Sequence, residues 1–157
     1  MIRRGLAAAA LVLVLLAPAA AHATILACLV SATGVAFGTY TGDRISTTGE
    51  ITLICVGTGN APTNPYSVSL STGQSPNYDP RLMALGSDTL QYNLYTDSLR
   101  NVIWGDGTGR TRAVTGRMDF QPPQLGRVAL TVEALLPRQP TPPPGRYSDT
   151  IVVTVEF

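Results

Sequence analysis

Side chains able to do covalent or metal chemistry are few in this sequence. The 157-residue chain holds one histidine, His22, no lysine and two cysteines, Cys28 and Cys55, beside ten acids and eleven arginines. His22 lies in a segment with the marks of a secretory signal peptide: Arg3 and Arg4 near the start, an apolar run over residues 6–16, and small residues at Ala21 and Ala23. Cleavage between Ala23 and Thr24 divides the chain into a signal peptide, 1–23, and a mature domain, 24–157. The mature domain then has neither His nor Lys, with nine Arg against ten acids, a formal charge of −1. A Ser-His-Asp or Cys-His nucleophile, a His-ligated metal and a lysine Schiff base are all out of reach. A carboxylate pair remains formally open for glycoside hydrolysis, but the acids are spread one to a turn or strand end and read as solvated punctuation. The chemistry points away from an enzyme, and no cofactor or metal is expected. Nor does a near-neutral chain carry the electrostatic footprint of a nucleic-acid or anionic-membrane binder.

The cysteines belong to the same argument. An exported chain meets an oxidising compartment, where an even count of two reads as one disulfide between Cys28 and Cys55. Two free thiols is the plainer alternative. A lipoprotein is a further one, because Ile25-Leu26-Ala27-Cys28 resembles a lipobox, although lipidation would leave Cys55 without a partner. The apolar run is short for a retained anchor, which needs roughly 20 residues, and Pro18 and His22 close it. The twin arginine is a weak signal for the Tat route. Residues 105–109, Gly-Asp-Gly-Thr-Gly, imitate a phosphate loop but lack its lysine and following helix, and read as a glycine-rich hairpin turn.

The elements that hold these residues follow from the period of the apolar pattern. Ile45, Thr47, Gly49, Ile51, Leu53 and Cys55 fall on one face of an extended segment; Tyr66, Val68 and Leu70 alternate with serines; Val128, Leu130, Val132 and Ala134 repeat the pattern. Residues 90–96 and 102–104 are further short strands. Gly and Pro mark loops at 57–65, 73–80, 105–109 and 138–145, and Pro140 to Pro144 reads as a stiff connection into the last strand, with a polyproline ligand for an SH3-like groove as the alternative. No window supports an amphipathic helix, so the class is all-β, and about seven strands with a disulfide and a lone Trp104 suggest an immunoglobulin-like β-sandwich.

The final segment is peculiar. Tyr147, Asp149, Ile151, Val153, Val155 and Phe157 share one side of an 11-residue strand that runs to the last residue. An uncovered apolar edge is an aggregation template. Either the first strand covers it, or a partner does.

Taken in order, Cys28, Phe37-Gly38-Thr39-Tyr40, Gly49-Glu50-Ile51, residues 66–73, Arg81-Leu82-Met83, residues 90–97, Trp104 with the glycine-rich loop, Gly145-Arg146-Tyr147-Ser148-Asp149-Thr150 and Val153-Thr154-Val155 resemble the spore coat protein U domain family, which includes subunits of archaic (Csu-type) chaperone–usher pili. The resemblance implies a periplasmic subunit whose immunoglobulin-like fold lacks its last strand. It also implies a pilus chaperone that lends a strand, an outer-membrane usher, and other pilus subunits that supply the strand in the fibre. Carried onto this chain, the acceptor groove is edged by Val30, Ala32, Val35 and Phe37 on the first strand and by Ile151, Val153, Val155 and Phe157 on the last. Phe157 would contribute its ring and a terminal carboxylate for the chaperone to grip.

One departure bears on the role. Ahead of Cys28 the mature chain leaves only Thr24-Ile25-Leu26-Ala27, spanning about 14 Å when extended, whereas pairing with an 11-residue strand takes roughly 35 Å. The expectation is a strand acceptor that does not donate, at a terminal or tip position of an adhesive, biofilm-forming surface pilus, although two-domain tip adhesins of the family are longer. The alternative is a non-polymerising spore-coat or matrix protein of the same fold. From the missing His and Lys we predict that elemental analysis of the dialysed mature domain finds no stoichiometric transition metal; a metal retained at one equivalent would contradict the chemistry above.

Overall fold

Strand β2 (Ile45–Thr58) and strand β7 (Leu125–Leu136) form the spine, an antiparallel ladder in which Ile45 faces Leu136 and Val56 faces Leu125. Their shared inner face carries Ile51, Leu53, Cys55, Val132, Ala134 and Leu136, all buried, so the period-two pattern of both segments is the pattern of one core face. The computed structural model describes residues 24–58 and 63–157, among which the chain forms strands and no helix. The expected signal peptide, ending at Ala23, and therefore its cleavage point before Thr24, lies outside the described residues.

Around the spine the remaining strands curl into two layers. Strand β1 (Thr24–Thr33) pairs antiparallel with β2 on one side. On the other side of β7, β5 (Asp88–Tyr95) pairs with its C-terminal end, and β4 (Arg81–Leu85) pairs with β5. The opposite layer is built from β6 (Val114–Gln121), β3 (Thr63–Leu70) and β8 (Val153–Glu156), with β3 in the middle. The two layers join where Phe120 and Gln121 meet Gly126 and Leu125 across a tight turn. This is the expected all-β, immunoglobulin-like arrangement.

The layers pack through Val68, Leu70, Tyr92, Leu94, Met118, Phe120 and the fully buried Trp104. Burying each large apolar side chain contributes about 1.5–3 kcal/mol. The Trp104 indole N–H donates to Val68 O at 2.9 Å, so the one tryptophan ties a loop of one layer to the central strand of the other while leaving no polar atom unpaired. Gly126 and Gly57 make this packing possible, because a Cβ on either would press into Met118 or Phe120.

Several elements differ from the sequence expectation. Eight strands form where about seven were expected. Strand β6 was not anticipated, although Val114, Gly116, Met118 and Phe120 alternate; the small Gly116 hides the pattern because the Tyr66 side chain lies where its own would be. The last strand is shorter than 11 residues: only Val153–Glu156 forms a ladder with β3, while residues 147–152 run extended with other partners. The first strand ends at Thr33, so Val35 and Phe37 lie beyond it. Residues 102–104 make only isolated bridges, and the 105–109 loop is no hairpin turn: the bridge across its mouth, Trp104 with Arg112, is parallel, and the Asp106 carboxylate closes the loop by accepting from Thr108 N and Oγ1.

Cys28 and Cys55 face each other in the β1–β2 ladder and form a disulfide, with Cα atoms 4.1 Å apart. The bridge joins neighbouring strands of one layer, unlike the inter-sheet bridge of antibody domains. Closing this loop is worth about 3.5 kcal/mol in the chain-entropy model. We therefore expect no alkylation of the unreduced protein by intact mass, and a loss of stability of about that size in Cys28→Ser/Cys55→Ser by denaturant titration.

Candidate functional site

The layers do not close along one side. Among the described residues strand β1 bonds only to β2 and β8 only to β3, so each has an edge without a described partner, and between the chain leaving β1 and the chain entering β8 lies a cleft of about 890 Å³. Its floor is the core itself: Ile51, Leu70, Leu90, Tyr92, Leu94, Val132 and Leu136 reach it from both layers. These residues are buried, yet nothing described lies over them but the two walls.

One wall is residues 32–40. Past Thr33 the chain leaves the ladder at Gly49, where a Cβ would collide with Thr33 O. In β1 the inward residues are even-numbered, Val30 facing Leu53 and Ala32 facing Ile51; past Gly34 they are odd, Val35 and Phe37, which pack on the core. The chain thus turns over within two residues. Phe37 meets Tyr92 edge-on, ring centroids 5.9 Å apart. Among the described residues no backbone hydrogen bond engages residues 34–39, and the wall is tied at its far end by Tyr40, whose hydroxyl lies 2.9–3.1 Å from the carbonyls of Gly42, Pro137 and Gln139 and accepts from Gln139 N at 2.7 Å.

The other wall is residues 141–153, and polar contacts fix it. Ser148 exchanges backbone bonds with Ala84 on β4, so the chain is anchored to one layer before it joins the other at Val153. The Asp149 carboxylate accepts from Tyr92 Oη at 2.6 Å and from Gln74 N at 2.9 Å, while Gln74 Nε2 donates to Ser148 O. Burial, then the adjoining Asp149 carboxylate, push the Tyr92 hydroxyl far above the ordinary tyrosine range, so it stays a neutral donor. Gly73, at φ +69°, makes room: a Cβ there would strike the Asp149 carboxylate.

Behind this wall sits Arg81, with 0% exposure. Its guanidinium donates to Ser71 O from Nε and Nη2, to Trp104 O from Nη2 and to Asn93 Oδ1 from Nη1, and lies over the Tyr78 ring. Burial lowers its pKa, but an arginine with its donors so occupied remains a cation. Three acceptors from three loops and strands converge on one planar group.

Of the residues expected at an acceptor groove, the structure brings Ala32, Val35, Phe37, Ile151 and Val153 together around the cleft. Val30 is 40% exposed although it points inward, and Val155 packs half-buried against the core; neither lines the cleft. Phe157 lies apart, with Glu156 and Tyr66 at a shallow hollow. The floor, Tyr40 and Asp149 in the walls, and Arg81 behind them are site residues that the sequence reading misses. The floor was visible as alternation at Leu90, Tyr92 and Leu94, but nothing in the sequence marks which buried positions face a cleft. Among the described residues no group of three His, Cys, Asp or Glu side chains comes together to hold a metal.

Comparison with known proteins supports the architecture. The family model of the Spore Coat Protein U domain matches residues 14–154. The chain belongs to the Spore Coat Protein U domain family. No curated protein matches it. Among solved structures, this Spore Coat Protein U chain is similar to a chain in the crystal structure of the CsuC–CsuE chaperone–tip adhesion subunit pre-assembly complex from archaic chaperone–usher Csu pili of Acinetobacter baumannii, with a TM-score of 0.53 and 24% identity. The match covers 83% of this chain and 40% of that one, so the Spore Coat Protein U chain spans about two fifths of that neighbour's length.

Arg81 yields a prediction. An ammonium cannot reach the acceptors that the fork reaches, so Arg81→Lys leaves buried carbonyls unpaired and costs about 2 kcal/mol or more. Thermal unfolding followed by Trp104 fluorescence measures it; a melting point unchanged from the parent would refute the role given to the guanidinium.

Proposed function

We propose that the cleft receives a β-strand from a partner and that this chain is an exported subunit of a chaperone–usher surface pilus. One observation carries the reading: a core floor from both layers lies under a gap bounded by two strand edges that have no ladder partner among the described residues, with the inward-pointing Val30 left 40% exposed beside Leu53 at 0%. A strand laid in the gap would give backbone bonds to those edges and set alternate side chains on the floor, the mode of β-augmentation. Family membership and the likeness to a chain of a chaperone–subunit complex support the same reading.

In this reading the signal peptide 1–23 directs export, a periplasmic chaperone occupies the cleft during transit, an outer-membrane usher receives the complex, and a neighbouring subunit later supplies the strand. The position is that of an acceptor at a terminal or tip site, serving adhesion and biofilm formation. The family's description favours one other reading, a coat or matrix structural protein that does not polymerise. Dependence on a chaperone separates the two.

The test is co-purification with the chaperone encoded beside the gene. Val153 lines the cleft and Thr154 is exposed on the opposite side of the same strand. Val153→Asp sets an unpaired carboxylate against the incoming strand and is expected to abolish capture, while Thr154→Asp retains it. Equal recovery of Val153→Asp and parent, or a parent chain fully folded and soluble without a partner, would mean that no strand is needed.

A further inference from the structure

An empty apolar cleft gains by closing, because the half-buried Val35, Phe37, Ile151 and Val153 of its walls would be driven further out of water against the floor. Something must therefore hold its walls apart. Among the described residues no backbone hydrogen bond engages the wall at residues 34–39, which cannot serve. The opposite wall has a ladder only from Val153 onward; ahead of it, residues 148–152 stand on discrete polar contacts with Ala84, Ser71, Gln74 and Tyr92. Asp149 is where contacts from both layers converge. Its Oδ2 accepts from Tyr92 Oη on β5, at the cleft floor, and its Oδ1 accepts from Gln74 N in the loop after β3 and from Thr150 N. The bare Cα of Gly73 leaves the carboxylate its seat.

From this geometry, and resting on the strand-acceptor reading, we propose that Asp149 is the positioning residue of the cleft: its carboxylate, shared between Tyr92 Oη and the Gln74 amide, holds the wall at residues 147–151 off the floor at the distance a strand requires. Without it the wall loses its link to β5, and the half-buried Ile151 can move further in over the floor. Asp149 lines the cleft, but its carboxylate oxygens are engaged by Tyr92, Gln74 and Thr150, and in this scheme it acts through the wall.

The experiment uses the purified mature chain and a fluorescein-labelled ten-residue peptide of alternating threonine and valine, with binding read by anisotropy. Asp149→Ala and Tyr92→Phe, the second removing only the hydroxyl, should each bind about tenfold more weakly. Asp149→Asn keeps an acceptor for the two backbone N–H groups and offers Tyr92 an amide donor, and should restore binding to within about twofold. Val128→Ala, half-buried away from the cleft, lowers stability without touching the wall and should bind as the parent does. If Asp149→Ala fails to fold, as Trp104 emission would reveal, Tyr92→Phe decides. Parent that takes up no peptide would overturn the strand-acceptor reading and this inference with it. Parent that binds while Tyr92→Phe and any folded Asp149→Ala bind equally well would overturn this inference alone. Weakening by Val128→Ala in proportion to its lost stability would reduce Asp149 to a general stabiliser, which also refutes the proposal.

Discussion

Every strand edge in a β-protein presents a row of backbone donors and acceptors, and a sandwich is complete only when its outer edges are paired, covered or turned away from one another. Here β1 and β8 stand at the ends of the strand path and do not meet. The core beneath them is nevertheless made, because the β2–β7 spine supplies one face and β3 with β6 supply the other. A closed core beside an open edge is the constraint from which the remaining features follow: the cleft, the half-exposed Val30, and the polar ties that keep the two walls in place.

Those ties differ in kind. The 32–40 wall rests on apolar packing of Val35 and Phe37 and on the Tyr40 hydroxyl at its end. Segments with few backbone bonds lie at the low end of local stability, so this wall is the one able to adjust to what enters. The other wall is fixed by bonds to both layers, and the Arg81 guanidinium stands behind it, joining Ser71, Asn93 and Trp104. A buried cation paired only with neutral acceptors is tolerated because its donors are so nearly satisfied, and the convergence fixes three segments that have no ladder between them. Specific geometry is thereby carried by a few polar groups where the sheet itself offers none.

How much of this could be read from the sequence depends on the physical scale of the signal. Alternation is local, so β2, β3, β5 and β7 and the all-β class were legible in Ile51, Leu53, Val68, Leu94 and Val132. The disulfide followed from two cysteines and an oxidising compartment. Strand β6 escaped because Gly116 interrupts its apolar face, and the last strand was overextended because residues 147–152 alternate like a strand while bonding to scattered partners. The groove edges at Ala32, Val35, Ile151 and Val153 followed from the family resemblance rather than from periodicity. The roles of Arg81 and Asp149 were not legible at all: a buried arginine and a surface arginine look alike until the acceptors around them, 10 to 23 residues away in sequence, are brought together, and the Tyr92 and Gln74 donors to Asp149 lie 57 and 75 residues away.

The same contrast bears on how a chain with an open edge stays folded. Its apolar lining favours collapse or association with any available strand, and the spine cannot prevent either, because its own Ile51, Val132 and Leu136 form part of the apolar floor. Resistance has to come from groups at the cleft itself. A neutral tyrosine hydroxyl donating to a carboxylate, with a glycine yielding the space, is such a group: it is short, directional and indifferent to hydrophobic burial. The polar residues around this cleft thus oppose the force that folds the rest of the chain, and leave the apolar floor available to a strand that brings its own backbone partners.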